Sequence, residues 1–267
     1  MPAFTDNVVI ITGASEGIGR ALALALAPQG PKLVVSARSR ERLESLVQEC
    51  RSLGAEAIAV ATDVTDEKQC RELIRKAVAA FGRIDTLVAN AGATMWTRLD
   101  ELEQEGVLES VMAVNYFGAA YCTRAALPYL KQTSGRIVAV ASVAGLTGVP
   151  ERTGYSASKH AMVGFFDSLR IELADSGVTV TVIAPDFVVS QIHRRAIGAD
   201  GQPLGESPMQ ESKIMTAEEC ASLMVRAMEK RKRLLITSLR GRVGRWFKLF
   251  APGLIDRIAS RAIRQRH

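Results

Sequence analysis

The sequence has few of the residues that hold disulfide-rich or metal-dependent proteins together. Among 267 residues there are four cysteines and three histidines, and the cysteines are far apart, with no CxxC pair and no histidine at metal-ligand spacing. This pattern predicts reduced thiols and no metal site. The first residues lack a basic stretch followed by an apolar one, so no secretory signal peptide is expected. No apolar run approaches the roughly 20 residues of a membrane span, and we expect a cytoplasmic protein.

Positive and negative charges nearly balance along the sequence, except at the end of the chain. Residues 239–267 contain eight Lys or Arg and one acid, whereas residues 1–238 contain 26 Lys or Arg and 27 acids. The net charge of +6 therefore comes from the last segment. The composition, 48% hydrophobic and 23% charged, is typical of a globular protein. No aromatic stacking platform or recognition-helix pattern indicates a nucleic-acid partner.

Apolar runs of strand length recur along the chain and alternate with helical segments. Strands that are apolar throughout are typical of a parallel sheet covered by helices on both faces. The sequence therefore predicts an α/β fold: a single doubly wound domain with a parallel sheet of about seven strands. Its ligand crevice is expected at the carboxyl ends of the strands. The predicted strands cover residues 8–11, 32–37, 57–61, 84–89, 136–141, 178–184 and 234–237.

Two segments depart from this alternation. A long helical stretch covers about residues 102–131, and Pro128 is expected to bend or end it because proline lacks an amide hydrogen. Residues 187–215 hold three glycines and two prolines, and a loop this long predicts a substrate lid or a disordered segment. After it, Thr216 and Glu219 form a capping-box pattern that predicts a helix to about residue 230.

Three glycines follow the first strand and precede the first helix. Gly13, Gly17 and Gly19 allow backbone amides at a helix N-terminus to approach a pyrophosphate, whose charge the amides and the helix dipole stabilise. The same spacing also occurs in simple tight turns. The strand–loop–helix context favours dinucleotide binding, with Ser15, Glu16 and Ile18 in the same loop.

The end of the second predicted strand bears on the choice of cofactor. An NAD-preferring site usually has an acid there to bind the ribose 2′-hydroxyl, but this sequence reads Ser-Ala-Arg-Ser-Arg over residues 36–40. Arg38 is suited to the 2′-phosphate of NADP. Glu16 argues against this because an acid stands where a base would help, and Arg38 also fits a solvated helix start. NADP is favoured over NAD.

A tyrosine and a lysine four residues apart follow a strand that ends in serine. Tyr155 and Lys159 fall on one face of a helix. Free tyrosine has a pKa near roughly 10, and a neighbouring ammonium favours the phenolate, so the pair suits general acid/base catalysis. Ser142, at the carboxyl end of the strand before it, is placed to hold a substrate oxygen. Seen alone, such a pair is usually a surface pair, and its position behind the glycine loop is what favours chemistry.

These motifs together carry a family likeness. The elements Thr12-Gly13-x-x-x-Gly17-x-Gly19, Asn90-Ala91-Gly92, Asn115, Ser142 and Tyr155-x-x-x-Lys159 resemble, in order and spacing, the short-chain dehydrogenase/reductase family over about residues 7–237. The resemblance implies a single Rossmann-fold domain binding NAD(P)(H), built as a homodimer or homotetramer. It implies that Tyr155 is the acid/base and that Ser142 polarises the carbonyl. Lys159 would assist the tyrosine and hold the nicotinamide ribose, and Asn115 would orient a water.

The resemblance also implies a wider cofactor site. Asp63 and Val64 would flank the adenine, and Asn90 would stabilise the edge of the central strand. Ser190 stands where a threonine commonly binds the carboxamide, and it keeps the hydroxyl. Asp186 stands where glycine usually follows Pro185, which puts the chain path beside the nicotinamide in question because aspartate adopts positive φ less readily. The remaining residues of this cofactor set are Ala91, Gly92, Pro185 and Val188.

Residues near the motifs are candidates for substrate contact. Met95, Trp96, Leu146 and Phe187 are apolar and adjacent to motif residues, and a substrate wall is one reading of them. His193 lies in the predicted lid, where substrate contact and simple solvent exposure are both open, with exposure favoured.

Residues 239–267 form a basic extension beyond the domain of residues 1–238. Basic amphipathic helices with tryptophan and phenylalanine can lie in a membrane interface. The alternative is a pair of helices that cover the substrate crevice or a neighbouring subunit, with their basic faces solvated. The apolar positions at helical spacing are Val243, Trp246, Phe247 and Phe250, then Ile255, Ile258, Ala259 and Ala262.

The residues and the resemblance lead to one functional expectation and one alternative. We expect an NADP(H)-dependent oxidoreductase that acts on a carbonyl or secondary alcohol, with a lipophilic ketone, steroid-like or acyl-chain substrate. The alternative is a non-catalytic cofactor-binding sensor or membrane-associated scaffold on the same fold. The full set of Asn115, Ser142, Tyr155 and Lys159 argues against this alternative. A cytoplasmic location, with peripheral contact to an anionic membrane through residues 239–267, is compatible with the first expectation.

Overall fold

A parallel sheet forms the centre of the computed structural model, which describes residues 3–264 except the side chains of 259 and 261–264. Within these residues the sheet has seven strands in the order 3-2-1-4-5-6-7, all paired in parallel. The chain order reverses between the first and fourth strands, which makes that point the expected ligand crevice. The strands are β1 Val8–Thr12, β2 Lys32–Ala37, β3 Glu56–Ala61, β4 Thr86–Ala89, β5 Arg136–Val140, β6 Thr179–Ala184 and β7 Leu234–Ile236.

Helices cover both faces of the sheet, as strands that are buried along their whole length require. They are α1 Gly17–Leu26, α2 Arg40–Ser52, α3 Glu67–Phe81, α4 Val107–Met112, α5 Gly118–Gln132, α6 Thr153–Glu172, α7 Ala217–Glu229, α8 Leu239–Phe250 and α9 Pro252–Arg264. One apolar core joins the sheet to α1, α2 and α7, and a second joins it to α3, α5 and α6. The predicted α/β, doubly wound fold is confirmed.

The helical stretch predicted over residues 102–131 differs from the structure in two ways. The continuous helix begins only at Val107, and the turn Ala113–Phe117 is π-helical. Pro128 does not end the helix, because α5 continues to Gln132, close to the predicted end at residue 131. Pro128 and Arg124, the residue whose carbonyl loses its helical partner, are both exposed. Water can satisfy that carbonyl, so the lost hydrogen bond costs little there.

The loop between β6 and α7 is packed onto the body of the protein. The amide of Ile197 donates to the Thr94 carbonyl at 3.0 Å, and the amide of Trp96 donates to the Ile197 carbonyl at 2.9 Å. A bridge between Val188 and Met215 closes the base of the loop. The capping box at Thr216 and Glu219 opens α7 as predicted. All four cysteines are buried thiols.

Side-chain contacts join the C-terminal helix α8 to the core. Ser238 caps α8 by accepting from the Gly241 amide, and Arg240 forms an ion pair with Asp186 at 2.8 Å. Lys248 donates to the Leu146 carbonyl at 3.0 Å. The side chains predicted to continue the apolar pattern at positions 259 and 262 lie outside the described residues. No helix in the described part of the chain is both long and apolar enough to cross a membrane.

Candidate active site

A cavity of about 920 Å³ lies at the carboxyl ends of the strands, beside the point where the strand order reverses. It brings together nearly all of the residues singled out from the sequence. Asn115 and Gly19 lie outside its lining. The predicted site residues that line it are Gly13, Ser15, Glu16, Gly17, Ile18, Arg38, Asp63, Val64, Asn90, Ala91, Gly92, Ser142, Tyr155, Lys159, Pro185, Val188 and Ser190.

The glycine loop has the shape that a dinucleotide pyrophosphate requires. Gly13 and Gly17 have φ of 65° and 54°, and a Cβ on Gly13 would lie 2.7 Å from the Ala91 Cα. A Cβ on Gly19 would meet the Asn90 side chain at 2.5 Å. The helix that follows has Glu16 at its N-cap, and the Glu16 side chain accepts no capping hydrogen bond from the helix amides, which leaves the first amides free for an anion. The loop therefore fits the phosphates of NAD(P).

A pair of side chains ties the glycine loop to the neighbouring strand. The Thr12 hydroxyl accepts from the amides of Asn90 at 3.0 Å and Ala91 at 3.1 Å. The Asn90 side-chain amide donates to the carbonyls of Thr12 at 2.9 Å and Gly13 at 3.2 Å. These four bonds fix the separation of β1 and β4 where the crevice opens. Sequence reasoning placed Thr12 in the family motif without giving it this role.

Basic residues surround the far end of the glycine loop. Arg38 is exposed and lines the cavity beside Arg42. Glu16 pairs with Arg42 at 2.9 Å and with Arg195 at 2.6 Å, so its charge is balanced by two guanidinium groups. The sequence-based objection that Glu16 opposes an anion is weakened by these pairs. Arg42 was missed, although its spacing of four residues from Arg38 was a usable signal.

The adenine end of the crevice is shaped by the turn after β3. The Asp63 carboxylate accepts from the Thr65 amide at 3.0 Å and the Thr65 hydroxyl at 2.8 Å. This local turn places the buried Val64 against Gly118, where an added Cβ would lie 2.7 Å from a Val64 methyl. Asp63 and Val64 thus present a small polar and apolar pair to the cavity.

Tyr155 and Lys159 are adjacent on α6 and both are buried. The Lys159 ammonium lies 5.8 Å from the centroid of the tyrosine ring and donates to the Val140 carbonyl at 2.9 Å. Burial, and secondarily the positive charge of Arg152, lowers the pKa of Lys159 to about 7. A hydrogen-bond acceptor or an anion that enters the cavity would stabilise the charged form of Lys159 and raise its pKa.

Asn115 lies behind the cavity wall in the π-helical turn and is fully buried. Its side-chain oxygen accepts from the Ala93 amide at 2.8 Å, and its nitrogen donates to the Ala93 carbonyl at 2.9 Å. The same nitrogen donates to the Ser158 hydroxyl at 2.8 Å, which donates to the Tyr155 carbonyl at 2.8 Å. Ser158 was not singled out from the sequence, and it connects Asn115 to the turn that carries Tyr155.

Ser142 begins the turn after β5 in an extended conformation. Its hydroxyl accepts from the Ala144 amide at 3.1 Å and donates to the Pro185 carbonyl at 3.4 Å. The second contact is at the long limit for a hydrogen bond. The hydroxyl proton can therefore be redirected to a substrate oxygen at little cost.

The sequence left the chain path at Asp186 in question, and the structure resolves it. Asp186 is absent from the non-glycine residues with positive φ in the described chain. Its carboxylate accepts from Ser238 at 2.7 Å and from Arg240 at 2.8 and 3.2 Å. Burial alone would raise the pKa of Asp186, but these hydrogen bonds outweigh it and hold the pKa below its usual value. The acid fastens the C-terminal extension to the site.

An aromatic cluster forms one wall of the cavity. The ring centroids of Trp96, Phe187 and His193 lie 6.0–6.4 Å apart. The expectation that His193 is exposed was wrong: it is 4% exposed because these rings cover it, and its Nε2 lies 3.1 Å from the Val188 carbonyl. Burial, then the charge of Arg152, lowers the pKa of His193 to about 4. Leu146 also lines the cavity, whereas Met95 lies behind it.

The fold and the cavity together define a class of protein. A phosphate-binding glycine loop at the switch point of a parallel sheet, with serine, tyrosine and lysine beside it, defines an NAD(P)-dependent oxidoreductase. The sequence profile described as "short chain dehydrogenase" matches residues 7–199. The chain belongs to the short-chain dehydrogenase/reductase family.

Individual relatives agree with this assignment. The chain is 34% identical over 264 residues to 11-beta-hydroxysteroid dehydrogenase 1A of Arabidopsis thaliana, covering 95% of this chain and 75% of that one. It is similar to the crystal structure of a short-chain dehydrogenase/reductase from Burkholderia phymatum in complex with NAD (TM-score 0.84, 29% identity, 95% and 96% of the two chains). An alcohol dehydrogenase from Thermococcus sibiricus complexed with 5-hydroxy-NADP is also similar (TM-score 0.75, 29% identity, 87% and 95%).

The lowered pKa of Lys159 predicts how stability depends on pH without cofactor. Unfolded lysine has a pKa near roughly 10.4, whereas the folded value is about 7. Between these two pKa values the unfolded state binds more protons than the folded state, so the free energy of unfolding rises with pH. The cost of burying the charged Lys159 is therefore fully present below about pH 7 and decreases as the pH rises. We expect Lys159→Met to remove a slope on the order of 1 kcal/mol per pH unit in urea unfolding from about pH 7 to 9. Lys131→Met, at an exposed lysine, should keep the wild-type slope, and parallel curves for wild type and Lys159→Met would contradict the assignment.

Proposed function

We propose that this protein is an NADP(H)-dependent oxidoreductase that interconverts a lipophilic ketone and its secondary alcohol. The observation that carries the proposal is a single cavity that holds the glycine loop, Ser142, Tyr155 and Lys159. The cofactor loop and the acid/base pair line the same cavity, and Trp96, Leu146 and Phe187 form its apolar walls. This arrangement favours an enzyme over a cofactor-binding scaffold, which has no need of an acid/base pair at that place.

Each residue has a defined task in this mechanism. Ser142 donates a hydrogen bond to the carbonyl oxygen and holds it in place. Tyr155 gives a proton to that oxygen during reduction and removes it during oxidation. The nicotinamide, when bound, supplies or accepts the hydride. Lys159 provides positive charge beside Tyr155, while Asn115 and Ser158 keep the turn of α6 that carries the tyrosine in position.

Removing the phenol oxygen tests the chemical part of the proposal. Tyr155→Phe should lower kcat by about 1,000-fold or more for any carbonyl substrate, because the proton donor is lost. Cofactor affinity should change little, since the ring and its packing remain. Steady-state kinetics and a thermal-shift titration with NADPH measure the two quantities. Turnover close to wild type in this variant would exclude Tyr155 from the mechanism.

The preference for NADP rests on the charges at the end of β2. Arg38 and Arg42 both line the cavity there, and the strand ends without an acid that would bind a ribose 2′-hydroxyl. Guanidinium groups match the geometry of phosphate through paired hydrogen bonds. Glu16 is already paired with Arg42 and Arg195, which reduces its repulsion of a phosphate.

An arginine substitution distinguishes the two cofactors. Arg38→Ala should weaken NADPH binding by about 10- to 100-fold, the loss of one or two charge-assisted hydrogen bonds. NADH binding should change by less than about threefold, since NADH lacks the phosphate. Arg40→Ala is the matched control, because Arg40 is exposed nearby and pairs with Glu44. Tighter binding of NADH than NADPH by the wild-type protein, in the same thermal-shift assay, would overturn the preference.

Features of the cavity and of a relative support a lipophilic substrate. The walls include Trp96, Phe187 and Ile258 of α9, and the similar Arabidopsis protein carries the name of a hydroxysteroid dehydrogenase. A second cavity of about 1310 Å³ lies beneath the loop that begins after Asp186 and shares Trp96 and Phe187 with the first. Together the two cavities provide room for a substrate whose apolar part extends well beyond the carbonyl group that reacts.

The outer face of the C-terminal extension supports a second proposal, contact with an anionic membrane surface. Trp246, Leu249 and Phe250 are 62%, 67% and 81% exposed. Arg245 directly precedes Trp246, and Lys248 directly precedes Leu249, on α8. Aromatic and apolar side chains that insert at the headgroup level, with cations beside them, are the features of an interfacial helix. Contact of this kind would place the cavity entrance close to a source of lipophilic substrate.

Co-sedimentation with lipid vesicles tests the membrane contact. The wild-type protein should pellet with vesicles containing phosphatidylserine and much less with pure phosphatidylcholine, because the cations favour anionic lipid. Trp246→Ser with Phe250→Ser should reduce the bound fraction by about tenfold. Ile171→Ser is the control, since Ile171 is 75% exposed elsewhere on the surface. Equal binding by the double variant and the control would refute this role of the extension.

A further inference from the structure

Arg152 lies inside the candidate active site, three residues before Tyr155. It lines the same cavity as Tyr155 and Lys159 and is only 5% exposed. Its guanidinium carbon lies 4.4 Å from the centroid of the Tyr155 ring, and the rings of Trp96 and Phe187 are at 4.9 and 5.8 Å. The proposed mechanism gives this cation no task. Its burial beside the reacting tyrosine therefore needs an explanation.

The guanidinium lacks the partner that a buried arginine normally has. Among the residues that the structure describes, no carboxylate forms a salt bridge with it, and Tyr155 is the only group whose charge would stabilise it. One terminal nitrogen donates to the Thr94 hydroxyl at 2.7 Å. Its Nε is buried with no hydrogen-bond partner among the described residues. Arginine has five N–H donors, so most of its hydrogen-bonding capacity is unused.

Burying the Arg152 guanidinium without an anionic partner destabilises the protein unless a ligand supplies the missing charge and hydrogen bonds. An unpaired buried charge costs several kcal/mol, and burial here lowers the pKa of Arg152. Contacts with aromatic faces recover part of this cost, and a single neutral hydrogen bond to Thr94 recovers about 1 kcal/mol. A structural role in holding Thr94 needs only a neutral donor. An anion in the cavity would satisfy both the charge and the free donors.

We propose that Arg152 binds a carboxylate of the substrate, and that the carbonyl reduced at Tyr155 lies a few bonds away in the same molecule. This inference rests on the proposed function and narrows it to oxo acids, or the corresponding hydroxy acids, with an apolar remainder. The short separation follows from the geometry, because the guanidinium overlies the very ring whose oxygen transfers the proton. The planar fork of arginine suits a carboxylate, which can accept two parallel N–H bonds.

The other charges that face the cavity favour the same ligand. Asp186 is occupied by Ser238 and Arg240. The Glu151 carboxylate accepts from the Trp96 indole at 3.0 Å. Lys159, Arg240 and Arg245 add positive charge to the lining. An anionic substrate is therefore attracted into the cavity, where Arg152 and Lys159 are both buried.

Pairs of acids and esters test this proposal. Medium-chain α- and γ-oxo carboxylates are compared with their methyl esters, which keep the ketone and remove the charge. The wild-type enzyme should prefer the acids, and Arg152→Met should lower kcat/KM for the acids by about 10- to 150-fold, the effect of losing a charged hydrogen bond. For the esters, kcat/KM should stay within about threefold. Arg152→Lys should keep part of the preference, and Arg226→Met, at an exposed arginine of α7 that lies outside the cavity lining, should keep nearly all of it.

Two further readouts separate the possible failures. Octanoate, which has no ketone, should raise the melting temperature of the wild-type protein with NADPH but not that of Arg152→Met. The melting temperature of Arg152→Met without ligands should equal or exceed that of wild type, since an uncompensated buried charge is removed. A lower melting temperature, or equal losses for acids and esters, would show a structural role and overturn the proposal.

The outcomes also distinguish this inference from the function on which it depends. Turnover of esters with no preference for acids overturns the carboxylate site and leaves the oxidoreductase intact. Octanoate binding that requires Arg152, without turnover of any oxo compound, supports the carboxylate site and contradicts the proposed reaction. Absence of both turnover and octanoate binding overturns both.

Discussion

The tie between Thr12 and Asn90 is the constraint on which the rest of the site depends. Parallel strands bring their carboxyl ends to one edge, but neighbouring strands on either side of the switch point diverge in their connections. The Thr12 hydroxyl accepts two amides of the β4 end, and Asn90 returns two bonds to the β1 end. This cross-link holds the glycine loop against Ala91 so closely that only glycine fits at position 13. The glycine-loop amides on one side and the carboxyl ends of β4 and β5 on the other are positioned relative to this junction.

A second set of contacts connects the chemistry to the sheet through α4, α5 and α6. The π-helical turn places Asn115 against Ala93, just after the Asn90 junction, and Ser158 extends that contact to the backbone of Tyr155. Lys159 reaches back to the Val140 carbonyl at the end of β5. The tyrosine is thus held from two strand ends at once. Side chains supported by such contacts lose little conformational freedom when a substrate binds, which favours catalysis by positioning.

Sequence patterns within a single strand, loop or helix predicted their structures well, whereas contacts between segments that are distant in the sequence were predicted poorly. Strand-length apolar runs predicted the α/β fold, and residue spacing together with position after a strand predicted that the glycine loop and the Tyr155–Lys159 pair share one crevice. The sequence left open whether Pro128 bends or ends its helix, because the outcome depends on solvent access to one carbonyl. The burial of His193 and the roles of Arg42 and Ser158 depend on which loops meet in space. Arg152 could not be singled out either, since an arginine at a helix start is ordinarily solvated, and its burial here depends on rings from distant segments, Trp96 and Phe187, as well as on Tyr155.

Two buried cations line one cavity, and among the described residues no carboxylate is paired with either of them. Arg152 contributes to the lowered pKa of Lys159, and burial lowers the pKa of both. Asp186, at the mouth of the same cavity, is fully engaged by Arg240 and Ser238. Pairing Asp186 with the C-terminal extension, and leaving the inner cations free, sacrifices stability of the empty protein. The same arrangement leaves the strongest electrostatic attraction in the cavity for a ligand that brings its own negative charge close to Tyr155.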